Sequence, residues 1–260
     1  MFNPKTNKIE VLSTRYDRAI KELEQIFDKP TNIYIDFANV LGWQDKLGWR
    51  IDPKRLKQFL DSFDTIGTVK FYYGTLAEDE ESERLIKWVG KLGYDVNTKP
   101  VKIIRLSIDV SSIPLNSPIL LENFIRKPLL SKFDLETIEY LNKKLRELNE
   151  KKILYIKDKK CNFDVEIGRD MLLDYEKNRV ENFILWSGDS DFADPVSQLL
   201  QDSKKVVIFA TSRRVAVELS ETKARIFDIK KIKEFICWKK YLSDEIKLFI
   251  KSQKDSRKSP

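Results

Sequence analysis

The chain contains no histidine. That absence removes Ser-His-Asp and Cys-His nucleophiles, histidine acid–base work and His-ligated zinc. Cysteine is scarce: Cys161 and Cys237 are the only two, too few for a disulfide framework or a structural zinc site. No apolar run approaches the roughly 20 residues that a membrane span needs. Residues 1–10 lack the apolar core of a secretion signal. The expected setting is therefore the cytoplasm, with no membrane partner. No Gly-rich phosphate loop follows the first predicted strand, which argues against a Rossmann nucleotide binder. Chemistry in this chain has to rest on carboxylates, lysines, hydroxyls or a hard metal ion.

What is present is an apolar framework with a charged surface. Of 260 residues, 42% are hydrophobic and 34% charged, so a sizeable core can form and its exterior is well solvated. The balance is +7, with 48 basic against 41 acidic residues. A basic surplus suits a polyanion, because each Lys or Arg at a phosphate releases counterions. Lys-rich surfaces also serve solubility alone.

The periodicity predicts alternating helices and strands. Tyr16, Ile20, Leu23 and Phe27 recur at helical spacing before Pro30. Strands are expected at 32–36, 69–73, within 94–106, at 182–186, 205–210 and 225–229. Helices are expected at 52–64, where Asp52-Pro53 supplies a cap and a favoured first position, and at 80–92, 163–177, 192–202 and 213–222. Such alternation predicts an α/β fold, its mainly parallel central sheet of about five strands flanked by helices. Residues 107–150 break the rhythm with prolines and serines, then a charged amphipathic helix over 134–152 carrying Leu135, Ile138, Leu141, Leu145 and Leu148. The organisation expected is a leader and helix over 1–31, a main domain over 32–236 with an insertion at about 107–152, and a C-terminal helix and basic tail over 237–260. The insertion reads first as a packed surface excursion, and otherwise as a cover for a site's mouth or a homodimer contact.

Carboxylates gather where ligands bind in open α/β sheets, outside the carboxyl ends of the strands. The first strand ends at Asp36, with Asn39 close behind. Another ends in Ser187-Gly188-Asp189-Ser190-Asp191-Phe192, where Ser187 or Ser190 can cap the next helix. Asp164 stands near a helix start, and Asp170 follows nearly two turns later. Each acid has a plainer reading as a cap, turn or surface residue; the combination is what points to chemistry. Two carboxylates about 4 Å apart repel by on the order of 4 kcal/mol at an effective dielectric near 20. A cluster of three or four needs a cation, and an all-oxygen set without His or paired Cys suits Mg²⁺ or Mn²⁺.

These residues resemble the NYN branch of the PIN-like nucleases, the LabA-like group. Asp36-Phe-Ala-Asn39 resembles the family's Asp-x-x-Asn after the first strand. Lys160-Cys-Asn-Phe-Asp164, followed by Asp170, resembles its Lys-x-x-x-Asp motif and second Asp. The run from Ser187 to Phe192 resembles its most specific signature. The likeness covers about 31–106 and 153–230. It implies a three-layer PIN-like fold, a divalent metal and hydrolysis of RNA phosphodiesters by an endoribonuclease. Carried over, Asp36, Asp164, Asp189 and Asp191 are the catalytic, metal-site acids. Asn39, Asp170, Ser187, Ser190 and Asp194 support them.

The chain departs from the family pattern in places. Asp194 stands where Pro is common, with Pro195 next, and Arg225 stands where an acid is common. Lys99, Lys102, Arg105, Lys160, Arg213 and Arg214 are candidates for RNA phosphates, as are Lys157 and Lys159. Trp43 and Trp49, read as flanking a loop after Asp36, are candidates either for stacking on bases or for the core. Two other functions share parts of this pattern. One is a non-catalytic RNA-binding scaffold, which the complete acid set disfavours. The other is a haloacid-dehalogenase phosphatase, which needs an acid at the position of Ala38.

Overall fold

The computed structural model describes residues 1–76, 79–177, 180–211 and 215–256. The chain forms two compact units, one from Met1–Pro100 with Asn162–Pro260 and one from Val101–Cys161. In chain order the first unit holds strands β1 (Thr31–Asp36), β2 (Ile66–Tyr72) and β3 (Asp95–Asn97), and then β6 (Asn182–Trp186), β7 (Lys205–Ala210) and β8 (Arg225–Asp228). The second unit supplies β4 (Lys102–Ser107) and β5 (Tyr155–Lys160). Helices α1 (Asn7–Arg15), α2 (Asp17–Ile26), α3 (Phe37–Leu47), α4 (Pro53–Leu60) and α5 (Glu80–Lys91) precede the second unit, which contains α6 (Lys127–Leu130) and α7 (Leu135–Glu150). After it come α8 (Asp164–Lys177), α9 (Ala193–Gln201), α10 (Val217–Glu221), α11 (Lys233–Ile236) and α12 (Asp244–Ser256).

The sheet of the first unit has six strands in the order β3-β2-β1-β6-β7-β8, every neighbouring pair parallel. This is the three-layer α/β class expected, with one strand more than the expected five or so. The chain runs outward from β1 to β3, leaves for the second unit, then re-enters at β6 beside β1 and runs outward again to β8. The two halves meet between β1 and β6, which makes that seam the topological switch point of the sheet. Both strands there are buried along their whole length, as central parallel strands covered on both faces must be.

The two faces of the sheet differ. On one side a chain of ring contacts links Phe209 of β7 to Phe27, Phe63, Phe59 and Phe235. Each such ring contributes roughly 1.5–3 kcal/mol on burial. The other side is polar beneath α8. Asn32 and Tyr34 of β1, two apart and so on one face, both donate to Asp174, and Tyr72 of β2 donates to Asp170. Lys70 lies 3.1 Å from Asp174 and 3.7 Å from Asp170.

Two helical segments differ from expectation. The N-terminal helix is two helices, broken at Tyr16, whose φ of −110° and ψ of 32° leave the helical region. The segment after Asp36 is helix α3, not a loop. Gly42 in its middle and its aromatic and β-branched residues weaken the local helical signal, yet Asp36 caps it by accepting the Asn39 N–H at 3.2 Å. Gly48 ends it in the left-handed region at φ 71°. Trp43 and Trp49 are both buried, 5% exposed, so they belong to the core rather than to a base-stacking surface. The helix expected over 213–222 is described as α10, with 212–214 outside the described residues. Helix α12 extends into the expected basic tail as far as Ser256, and 257–260 lie outside the described residues. Among the described residues no helix is long and apolar enough to cross a membrane.

The second unit is built on α7 and an antiparallel β4–β5 ribbon. Asp134 caps α7 by accepting the Thr137 N–H at 2.8 Å. Two amides on one face of α7 organise the irregular stretch before it. Asn142 donates to the carbonyls of Leu115 and Ser117, and Asn149 pairs with Val110 N–H and Ile108 C=O. Ile108, Val110, Leu120, Leu121 and Leu130 are its buried apolar residues.

Candidate active site

Register alone brings two of the acid motifs together. Ile35 pairs with Trp186 across the β1–β6 seam, so the next residues, Asp36 and Ser187, emerge side by side at the carboxyl ends. Ser187 is fully buried and donates through Oγ to Asp36 Oδ2 at 3.2 Å. Its oxygen also accepts the Asp189 N–H at 3.3 Å. Asn39, one turn into α3, accepts the Gly188 N–H at 3.3 Å. The two motifs are therefore laced together by their own polar groups. Asp189 caps the short turn after it, accepting the Asp191 N–H at 3.3 Å and the Ser190 hydroxyl at 3.5 Å.

The third motif arrives on α8. Asp164 is its first residue, held by the Asn162 amide at 2.5 Å. Burial grades across the acids: Asp36 is buried, Asp164 and Asp189 are half-exposed, and Asp191 is exposed. Their mutual field is legible in protonation. Burial first, and then the charges of Asp164 and Asp189, push Asp36 up from 3.8 to about 6, against the hydrogen bonds from Asn39 and Ser187. Asp164 is raised as well, by burial and then by Asp189 and Asp191. Among the described residues no Lys or Arg forms an ion pair with any of these four acids.

Asp164 and Asp191 also border a cleft of about 630 Å³ between α8 and α9, walled by Val165, Leu172 and Pro195, with Asp194 at its side. Gly168 lies in the contact between the two helices, where a Cβ would meet the Pro195 ring at an ordinary van der Waals distance of 3.5 Å. The donor set is oxygen only and, among the described residues, lacks a compensating cation, which fits a hard divalent ion. The acids are near enough to perturb one another but not closed on a point: among the described residues no group of three or more acids, Cys or His stands at ligating spacing.

The remaining sequence candidates lie elsewhere or are engaged. Asp170 is buried under the sheet, paired with Arg169 at 2.9 Å and Lys70, and accepting from Tyr72. It stands with Asp174, its neighbour one turn on, rather than with the four acids. Lys99 is ion-paired to Glu166 and sits 4.6 Å from the Phe163 ring. Lys102, Arg105 and Lys160 belong to the second unit, and Arg213 and Arg214 lie outside the described residues.

Sequence reasoning missed the buried set of Asn32, Tyr34, Lys70, Tyr72 and Asp174. A signal was available: Lys70 interrupts an apolar strand, and Asp174 follows Asp170 at the i, i+4 spacing of one helix face.

Comparison with known proteins agrees with the motifs. A family model described as NYN domain matches residues 126–230, a span that includes Asp164, Asp170 and the 187–192 turn. The low amplitude and bright protein LabA of Synechococcus elongatus is 24% identical over 205 residues, covering 78% of this chain and 86% of that protein. A crystal structure of a protein of unknown function from Vibrio parahaemolyticus superposes with a TM-score of 0.48 at 18% identity, over 79% of this chain and 94% of the other. The NYN-domain match thus takes in two of the three acid motifs, and the chain is similar to LabA over most of both chains.

Proposed function

We propose that the chain is a divalent-metal-dependent ribonuclease, endonucleolytic in action, that hydrolyses RNA phosphodiesters at the β1–β6 seam. The observation that carries this reading is four acids from three separate chain segments facing one another without a compensating cation among the described residues. Membership of an NYN, PIN-like group favours RNA as the substrate. In the reaction a water oxygen bonds to phosphorus, the ester P–O bond breaks, and the leaving oxygen takes a proton. When bound, Mg²⁺ or Mn²⁺ supplies positive charge to the phosphate and makes water more acidic.

The chain's own residues have distinct parts. Asp36, Asp164, Asp189 and Asp191 would hold the ion. Ser187 and the Asn39 N–H fix both oxygens of Asp36, so that carboxylate cannot rotate freely. Asn39 Oδ1 holds the Gly188 backbone, and Ser190 steadies Asp189. Asp194 lines the cleft through which substrate approaches. Asp170, engaged by Lys70, Arg169 and Tyr72 beneath α8, takes no part in holding the ion. Lys99, Lys102, Arg105, Lys160, Arg213 and Arg214 attract the RNA backbone.

The test is cleavage of unlabelled-sequence RNA pools by purified protein with Mg²⁺, with Mn²⁺ or with EDTA. Cleavage is expected with either metal only. Asp36→Asn and Asp189→Asn should each abolish it while circular dichroism stays unchanged. Equal activity in wild type and both variants would sink the proposal. Tight RNA binding without cleavage under every metal condition would leave a non-catalytic RNA-binding module.

A further inference from the structure

The β4–β5 ribbon is an unusual object for a folded surface. All six β5 residues are exposed, as are five of the six in β4. Its twelve residues carry five cations, Lys102, Arg105, Lys157, Lys159 and Lys160, and one acid, Asp158. Register sets like charges directly opposite: Lys102 faces Lys160, and Arg105 faces Lys157. Facing like charges destabilise an antiparallel pair. Among the described residues none of the five cations has an ion-pair partner. A ribbon built this way wants negative charge from outside itself.

Pairing also sorts the side chains onto two faces. One face carries Ile103, Arg105, Tyr155, Lys157 and Lys159 and no acid. Lys157 and Lys159, two residues apart, stand about 7 Å from each other along the strand, the scale of successive phosphates in an extended nucleic acid. Arg105 lies over the Tyr155 ring at 5.0 Å, while Tyr155 and Ile103 are 45% and 52% exposed. Cations for a backbone beside an open ring and guanidinium plane for bases form a sequence-tolerant platform.

We infer that this face of the ribbon holds single-stranded RNA for the chain, with Arg105, Lys157 and Lys159 on phosphates and Tyr155 under a base. The choice of RNA among polyanions rests on the ribonuclease reading. The choice of single strand rests on the exposed ring and aliphatic surface, which need unstacked bases, and on the deep, narrow major groove of duplex RNA, which excludes side chains. In the sequence β5 ends at Lys160, four residues before Asp164, so RNA held by the ribbon is on the same chain as the acids and at raised local concentration for them.

The test measures binding of short oligo(U), of an RNA duplex and of phosphatidylserine vesicles to the full chain. The background is Asp189→Asn, so that RNA survives. Arg105→Gln with Lys157→Gln should weaken oligo(U) binding and flatten log K against log salt by about 1.4, two contacts at roughly 0.7 each. Melting should not fall, because a repulsive pair is removed. Tyr155→Ala should cost about 5-fold or more in affinity, and Tyr155→Phe should restore it. Lys87→Gln with Lys91→Gln on α5 should leave binding unchanged.

An unchanged salt slope in the Arg105/Lys157 variant would overturn the inference. So would an equal loss from the α5 variant, tighter binding of duplex than of oligo(U), or binding to vesicles alone. The two readings separate cleanly. Ribbon-dependent oligo(U) binding in a wild type that never cleaves would sink the nuclease and keep the ribbon. Metal-dependent cleavage with ribbon-independent binding would do the reverse.

Discussion

Asp36→Asn should make the metal-free protein more stable at neutral pH, although it removes a side chain from the centre of the site. Asp36 is 6% exposed, and its carboxyl is pushed from 3.8 to about 6. A shift of about 2 units corresponds to about 3 kcal/mol between the two protonation states. Below pH 4 the carboxyl is protonated in both folded and unfolded chains and imposes no penalty. Between about 4 and 6 the unfolded chain releases its proton while the fold retains one, so stability falls as pH rises. Above about 6 the penalty is complete. Asparagine does not titrate and escapes it. Its Oδ1 can still accept the Asn39 N–H, but its amide nitrogen must face Ser187, at a cost of about 1 kcal/mol for the rearranged hydrogen bond. The expected balance is about 2 kcal/mol in favour of the variant at pH 7.5, and about 1 kcal/mol against it at pH 4. Urea unfolding in EDTA across pH 4–8 measures this directly. Mg²⁺ should then stabilise wild type by mass action and the variant much less. A variant that loses stability equally at both ends of the pH range would refute the strained-acid reasoning.

Further expectations follow from the packing. Lys70→Met leaves Asp170 and Asp174 facing each other without the ammonium between them. The urea midpoint should drop by the equivalent of about 3–5 kcal/mol, and Asp174→Asn in the same chain should recover part of that loss; an unchanged midpoint would show the pair to be dispensable. Gly48→Ala forces a Cβ into the left-handed cap of α3 at φ 71°, at about 1 kcal/mol, and thermal melting should register it without loss of RNA cleavage. Asn149→Ala removes the amide that serves Val110, Ile108 and Ile153. Hydrogen exchange should accelerate around residues 108–113 while β1 and β6 stay protected.

The sheet was legible because its central strands are nearly continuous apolar runs bounded by polar turns. Residues 182–186 and 205–210 match β6 and β7 to the residue. Helix α3 was hidden because the residue that starts it also looks like chemistry: Asp36 is a strand end, a helix cap and a site acid at once, and Gly42 dilutes the helical pattern. The break at Tyr16 leaves the apolar spacing of α1 and α2 intact, so periodicity reads through it. The β4–β5 ribbon was missed as a pair since antiparallel partners 48 or more positions apart leave no local trace. Asp170 and Asp174 were harder still. A carboxylate on a helix face looks the same in sequence whether it meets solvent, a metal or a buried lysine.

That last ambiguity is what the structure resolves into an argument. The same α8 presents acids to two environments. Asp170 and Asp174 are buried where Lys70, Arg169, Tyr34 and Tyr72 meet them with opposite charge or donated hydrogen bonds. Asp164, at the helix start, is half-exposed, and burial first, then the neighbouring carboxylates, raise its proton affinity. Acids kept only for folding would be expected to acquire partners as Asp170 and Asp174 have, because an unpaired buried charge is costly. Asp36 has instead two neutral donors, two acid neighbours and, among the described residues, no cation. A chain that supplies lysines and arginines in excess places one of them beside Asp170, yet among the described residues none is ion-paired to the acids at the seam of its sheet. At the β1–β6 seam, a cation supplied from solution is the element that would balance the charge that the described residues leave uncompensated.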